Sequence, residues 1–391
     1  METSRPGWIG TAPTTSQSVA VLWVGIVAIM IAGLQPQLLG ALELEGRLTP
    51  SQIGHASTAE LLGMGLAAAA AGVWLKPERL RWIGLIAGLA LAAIDVATTR
   101  LTGEAITLAR GLAGAPSGVL MWITLSLIAR SPRPERWSGV YLTVQTLVQF
   151  MVATALTAWV MGKSGANGGW LTLAALSVSA ALAAFGCPAR LARLEHAHGP
   201  GGLPPARGLV ALGAAFLMLA FIIGVWVYAE PLSKQAGHAP SVVGTAVSVS
   251  LACQVLGGAA ATVLASRISW FWTLVVCAVA EAALLAVFAS LPGPGLFIAA
   301  SGLFGFVWLF LTPFLVPVVI EADPSRRAAV LMGGAQLAGG SLGPLMASAV
   351  VTEADARGAL AFGAVCLAAA MAIITALHLT SRHARLTAAE S

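Results

Sequence analysis

The sequence predicts an all-α membrane protein in which twelve transmembrane helices form two pseudo-symmetric six-helix halves. Three observations predict it. Only 9% of the 391 residues are charged, 58% are hydrophobic, and the mean hydropathy is +0.87. A soluble domain carries roughly 25% charged residues, so this chain cannot clothe a soluble surface. The apolar residues gather into twelve runs, each near the roughly 20 residues that a bilayer-spanning helix needs. Finally, short motifs recur 190 and 191 residues apart.

The runs are 19–42, 52–74, 82–99, 104–129, 137–161, 168–187, 208–232, 241–264, 268–290, 295–320, 328–350 and 358–379. The polar stretch "PARLARLEHAHGPGGLPPAR", 188–207, divides them six and six, and its Pro, Gly and charge mark a loop or a short surface helix. The expected organisation is a tail at 1–18, a bundle at 19–187, the central loop at 188–207, a second bundle at 208–380 and a tail at 381–391. "METSRPGWIGTAPTTSQS" lacks the basic-then-apolar order of a signal peptide, so the first run is expected to stay as an anchor.

Basic residues set the orientation, because cytoplasmic loops collect Lys and Arg. With both termini in the cytoplasm, that side holds Arg5, Lys76, Arg79, Arg81, Arg130, Arg133, Arg136, Arg190, Arg193, Arg207, Arg267, Arg326, Arg327, Arg382 and Arg385. The opposite side holds Arg47, Arg100, Lys163, Lys234 and Arg357. The bias of fifteen to five supports the span count and the orientation; the protein is expected in the lipid bilayer of a cell (inner) membrane. The same loop placement explains the net charge of +5 without nucleic acid. Trp74, Trp82, Trp137, Trp159, Trp170, Trp270 and Trp272 fall near run ends, as an aromatic belt does. Cys187, Cys253, Cys277 and Cys366 lie in or beside apolar runs without metal-ligand spacing, and are expected as small apolar residues.

The repeat gives the halves. "PSQIG" at 50–54 recurs as "PSVVG" at 240–244, each opening the second helix of its half. "RGLAG" at 110–114 recurs as "SGLFG" at 301–305 in the fourth helix. Parallel halves meeting at a midplane site are a transporter architecture. The second half has Ser301 where the first has Arg110, so packing symmetry does not demand the arginine.

On these features the chain resembles the major facilitator superfamily over nearly its whole length. The family's loop signature after helix 2 runs G-x-x-x-D-R-x-G-R-[RK]. Here "GVWLKPERLR", 72–81, keeps Gly72 and a basic end, with Lys76 where the acid belongs. Arg110, Gly114 and Gly118 match the family's helix-4 pattern R-x-x-x-G-x-x-x-G. The resemblance implies that this arginine serves proton coupling or substrate charge. It also implies that helices 1, 4, 7 and 10 line a cavity, helped by 2, 5, 8 and 11. Arg110 and Glu60 would then face the pathway, Asp95 would stand behind them, and Glu281 in helix 9 would be peripheral, a protonated carboxyl bonded to a neighbour. The Gly/Pro motif of many drug–proton antiporters is missing from 137–161, which argues against that branch.

Polar groups inside the runs are the candidate site. A charge at the bilayer centre costs about 2.5–3.5 kcal/mol on insertion scales, so Arg110 needs a partner or water. Counted at about 1.5 Å per residue from the outer ends, Glu60 lies roughly 12 Å deep, Arg110 roughly 9 Å and Asp95 roughly 6 Å. An ion pair of Arg110 with Glu60 or Asp95 is expected. Glu230, before Pro231 at the outer end of helix 7, is a further coupling candidate that would pair across the cavity and release on protonation. Tyr141, Gln145 and Gln149 recur every four residues and share one face of helix 5. They line a cavity or tie helices together. Gln35 and Gln37 flank Pro36 on roughly opposite faces of helix 1, and Gln254 and Gln336 add polar groups on helices 8 and 11. Trp226 and Trp308 sit away from the belts and are expected as a stacking wall or as packing. Pro116, Pro313 and Pro317 allow bends.

Other patterns carry less. "GGSLG", 339–343, has the spacing of a nucleophile elbow, but Ser341 lies in an apolar helix where a strand is required. Gly339, Gly343 and Ala347, like Gly84 and Gly88, fit close helix packing. His55, His238, His378 and His383 near run ends, and His196 and His198 in the central loop, are expected to be solvated. No nucleophile or metal constellation supports an enzyme, and a channel or receptor does not need duplicated halves.

The function expected is secondary active transport of a small organic solute, an anion or zwitterion, by alternating access in a monomer. H⁺ is the expected coupling ion and no cofactor is needed. The alternatives are Na⁺ coupling, or a proton-driven exporter of amphipathic or drug-like compounds. The topology is checked by cysteine labelling in a cysteine-free background. Positions 133 and 197 are expected to react with a reagent on the cytoplasmic side and position 165 with one outside; labelling of 133 and 165 from the same side overturns the span count.

Overall fold

The computed structural model describes residues 8–132, 134–192, 204–264, 267–324 and 327–390. The described residues form helices, and the one bridge of extended chain among them joins Glu78 to Arg190. The first span consists of α1 (Thr15–Ala28) and α2 (Met30–Leu44). Then come α3 (Pro50–Trp74), α4 (Leu80–Thr98), α5 (Glu104–Ile128) and α6 (Pro134–Ala155). A π-helical turn, Leu156–Val160, carries α6 into α7 (Met161–Ala183), where Gly165 at φ 58° turns the chain from the fifth span to the sixth. Only glycine takes that conformation without strain. The seventh span is α8 (Ala206–Trp226) with α9 (Ala229–Gln235). It is followed by α10 (Pro240–Leu264), α11 (Trp270–Ala289), α12 (Pro294–Leu311) with α13 (Leu315–Ala322), α14 (Arg327–Ser348) and α15 (Gly358–Glu390). Nine stretches among the described residues are long and apolar enough to cross a bilayer.

The ends move for local reasons. The first helix starts at Thr15, inside the expected tail, because Thr14 and Gln17 form a capping box: the Thr14 side chain accepts from Gln17 N at 3.2 Å, and Gln17 Oε1 accepts from Thr14 N at 2.9 Å. The last helix runs on through the expected tail to Glu390. Its end is rich in Ala, Leu and Arg, which favour helix. The break in the seventh span falls at Val227–Tyr228. Pro231 causes it, since a proline ring collides with the carbonyl four residues before it. Near Pro313 the tenth span narrows to a 3₁₀ turn, Thr312–Phe314. Pro116 and Pro36 lie inside unbroken helices, and the first span breaks instead at Ile29.

The chain divides into two compact units, Met1–Leu48 with Ala59–Gly199, and Thr49–Thr58 with Pro200–Ser391. Each unit shows the repeat in atoms. In the first, Ala166 N donates to Glu45 Oε1 at 2.7 Å; in the second, Ala356 N donates to Gln235 Oε1 at 3.0 Å. Donor and acceptor are both displaced by 190 residues. Likewise Gly114 lies against the Glu60 carbonyl and Gly305 against the Ser250 carbonyl. Small residues let these backbones approach, as they do in membrane helix pairs. Gly84 and Gly88 pack on Ala184 and Ala181, and Gly339 and Gly343 on the carbonyls of Phe216 and Ala220. Ser341 only donates to Leu337 O of its own helix, at 2.8 Å.

The loop after the second span is fastened to the segment after the sixth. Leu80 N donates to Ala189 O at 3.1 Å, Leu191 N to Pro77 O at 2.8 Å and Arg81 Nε to Cys187 O at 2.9 Å. The rest of the central loop through Leu203, with His196 and His198, lies outside the described residues.

The glycine contacts give a stability prediction. Gly114→Ala places a methyl against the Glu60 carbonyl and Met64 N, and is expected to destabilise by about 1–3 kcal/mol. Gly213→Ala meets open space, and is expected to be neutral or stabilising by up to about 1 kcal/mol. Thermal unfolding in detergent checks both; equal midpoints for the two variants refute the close contact.

Candidate functional site

Arg110 is the one Lys or Arg inside the predicted apolar runs, and it is fully buried, as is Glu60 at 1% exposure. The structure brings together the three candidate charges Glu60, Asp95 and Arg110. Arg110 Nη1 donates to Glu60 Oε1 at 3.2 Å from α3 and to Asp95 Oδ1 at 3.0 Å from α4. The sequence reading favoured one carboxylate or the other; the arginine takes both. Its Nη2 donates to Thr98 Oγ1 at 2.9 Å. Ser177 Oγ on α7 donates to Asp95 Oδ2 at 3.1 Å. The guanidinium lies 4.4 Å from the ring centre of Trp170, a cation–π distance. Among the described residues, Arg110 Nε and Glu60 Oε2 have no hydrogen-bond partner.

Trp170 overturns one expectation. It is fully buried beneath Arg110, whereas Trp74 and Trp82 are 79% and 60% exposed, as belt residues are. Sequence reasoning also missed Thr98 and Ser177. Thr98 follows Asp95 by three residues, the spacing that puts two side chains on one helix face, so that signal was present. Ser177 and Trp170 share a face of α7 seven residues apart, but no local pattern ties that face to Arg110.

The helix-5 stripe is buried against the first span. Tyr141 donates to Gly25 O at 2.9 Å, and Gln149 Nε2 donates to Ile29 O at 3.0 Å, at the break between α1 and α2. Gln37 Nε2 donates to Thr157 Oγ1 at 2.9 Å and reaches Ala153 O at 3.4 Å. These groups tie the first and fifth spans together. Gln145 is buried, and its Oε1 has no partner among the described residues. Gln35 is fully buried on α2.

In the second unit, Trp226 and Trp308 stand edge to face, 6.0 Å between ring centres. Trp226 borders a crevice with Phe288, Phe297, Phe304 and Ser301, the repeat equivalent of Arg110. Gln254 is buried on α10 and Gln336 half-buried on α14. Glu230 is buried on α9, in the second unit. Glu281 is fully buried, and neither oxygen accepts a hydrogen bond from the described residues, contrary to the expected bond to a neighbour. His238 and His378 are not simply solvated. His238 Nε2 lies 2.8 Å from Pro292 O, and His378 stacks on Phe271 at 4.1 Å.

No protein-family model matches the sequence. No curated protein matches it. Solved structures do resemble it. The crystal structure of the nucleoside transporter NupG superposes with a TM-score of 0.65 at 14% identity, covering 93% of this chain and 98% of that one. A bacterial homologue of the human lysosomal transporter Spinster, inward-facing and unoccupied, gives 0.59 at 13% identity, covering 95% and 96%. The chain has the major facilitator fold.

The buried cluster predicts non-additive stability. Arg110→Leu leaves two carboxylates without their counter-ion and is expected to cost about 3–5 kcal/mol. Adding Glu60→Gln and Asp95→Asn removes the stranded charges and is expected to restore more than half of the lost thermal stability in detergent. A triple variant no more stable than Arg110→Leu refutes charge compensation.

Proposed function

We propose that this protein is a secondary active transporter that carries a small organic solute across a cell (inner) membrane by alternating access, driven by protons exchanged at the Glu60–Asp95–Arg110 cluster. The observation that carries the reading is one buried arginine held by two buried carboxylates. With both ionised the cluster has a net charge of −1, and a single proton neutralises it. Groups coupled this closely titrate as a unit. Intramembrane ionisable groups that face one another mark proton relays and ion pathways.

The cluster also bears on the solute. Arg110 is compensated, so an anionic or zwitterionic group reaches it only by displacing a carboxylate. Protonation of Glu60 or Asp95 weakens that carboxylate's hold and frees the guanidinium, which links proton uptake to solute binding. The nucleoside and lysosomal-type transporters that share the fold support a small solute as cargo. The aromatic crevice at Trp226 favours a second reading, a proton-driven exporter of amphipathic or drug-like compounds. In both readings the protein works as a monomer in the bilayer, with both termini in the cytoplasm, as the fifteen-to-five basic bias supports.

Reconstitution in proteoliposomes tests the proposal. A panel of solutes is screened by counterflow, then by accumulation under an imposed pH gradient. Glu60→Gln mimics the protonated carboxyl and is expected to retain counterflow while losing gradient-driven accumulation. Accumulation with an unchanged pH profile in that variant removes Glu60 from the coupling mechanism, and absence of counterflow for every solute in the wild-type protein removes the transporter reading.

A further inference from the structure

A crevice with water-sized room opens beside the charge cluster, wholly within the first unit. Its polar lining is Glu60, Asp95, Ser117 and Ser177, from α3, α4, α5 and α7. The other walls are apolar side chains of the first, third and sixth spans. Three observations point to an occupant. Glu60 Oε2 is buried and has no hydrogen-bond partner among the described residues, although its sister oxygen is 3.2 Å from Arg110. Ser117 is 1% exposed and lines the same space. The arginine balances only one of the two carboxylates, so the walls carry one surplus negative charge.

From this geometry we infer that the crevice binds a single Na⁺ through Glu60 and Asp95, with the Ser117 and Ser177 hydroxyls as neutral ligands. Hard cations take carboxylate and hydroxyl oxygens. One positive charge neutralises the cluster, whereas a divalent ion leaves it with a charge of +1. The apolar walls admit no further counter-ion. The inference deepens the proposed coupling role of the cluster and rests on it: Na⁺ and H⁺ become alternative occupants of one site. The charged groups facing the crevice from the packed helices are Glu60, Asp95 and, through its bonds to both, Arg110; the first and sixth spans contribute no titratable side chain to its lining. Because the ligands must be deprotonated, bound Na⁺ and bound proton exclude each other.

The test uses the full chain in detergent. Trp170 stacks on Arg110, so its fluorescence reports the cluster, and the difference between wild type and Trp170→Phe isolates its signal. NaCl is titrated at constant ionic strength with choline chloride, with KCl and LiCl in parallel. A saturable change with Na⁺ and Li⁺ but not K⁺ is expected, and its half-saturation is expected to rise with proton concentration. Ser117→Ala, and Ser177→Ala, which removes one hydrogen bond to Asp95 but no charge, are expected to weaken Na⁺ by about tenfold or more, and Glu60→Gln to abolish the response. No Na⁺ response in wild type, an equal response to K⁺, or an unchanged response in both serine variants overturns the inference. The two proposals fail separately. If the Na⁺ response is present but Glu60→Gln still accumulates solute under a pH gradient, the cation site stands and the proton-coupling reading falls.

Discussion

A fully buried guanidinium has to find its counter-charge in protein, and the first unit is built around that requirement. Arg110 draws α3, α4 and α5 together through Glu60, Asp95 and Thr98, and α7 joins through Ser177 and the Trp170 ring. Glycine allows the approach of α5 to α3: Gly114 lets α5 meet the backbone of α3 at Glu60 itself. Taking an arginine and two carboxylates out of water costs several kcal/mol per ion even after relaxation. A hydrophobic packing of similar volume does the structural job at lower cost. The cluster therefore has to be explained by what its charges do, and a surplus of one negative charge is a state that a proton or a monovalent cation relieves.

The two units use one scaffold for different chemistry. The bond from Ala166 N to Glu45 and the bond from Ala356 N to Gln235 are the same contact made twice, and Gly114 and Gly305 pack on equivalent carbonyls. Into this shared frame the first unit sets Glu60 and Arg110, where the second has Ser250 and Ser301. Ser301 instead borders an aromatic crevice with Trp226, Phe288, Phe297 and Phe304. Duplication supplied the packing, and the polar residues then diverged. The first unit sets buried charges at these positions, and the second an aromatic crevice.

What the sequence made legible follows the range of the forces involved. Helix existence depends on twelve apolar runs and on Gly and Pro between them, all local, and the helices appear where the runs lie. The pairing of Arg110 with a carboxylate was legible because an unpaired charge in a bilayer is so costly that some partner is required, and only a few carboxylates lie at its depth. The choice of both carboxylates depends on rotamers and on the approach of α3 to α5, which no short pattern encodes. Trp170 was misplaced for a related reason. Its position near a run end fits a membrane belt, and only the three-dimensional packing shows its ring beneath a cation. The glutamine stripe shows the opposite limit. Period and polarity placed Tyr141, Gln145 and Gln149 on one buried face, but whether that face meets solute or a neighbouring helix turned on the break at Ile29. Gln149 donates to the Ile29 carbonyl at that break.

The cluster does not end at the buried charges. Thr98 accepts from Arg110 through Oγ1, donates the same hydroxyl to Ile94 O at 2.9 Å, and offers its backbone carbonyl to Arg47 Nη2. Arg47, in the short loop after the first span, also donates to Leu101 O at 3.0 Å through Nε and to Asn167 Oδ1 at 2.8 Å through Nη1. It thereby holds the ends of the third and sixth spans to that loop. Thr98 is thus gripped by one arginine from inside the helix bundle and by another from the loop. Hydrogen bonds to charged donors are the stronger ones, so Thr98 is held more firmly than a helix-end threonine bonded only to its own backbone. Both arginines bond the turn from α4 toward α5, which carries Thr98 and Leu101. Two arginines and one threonine thus link the buried charges to the loop that joins the first two spans.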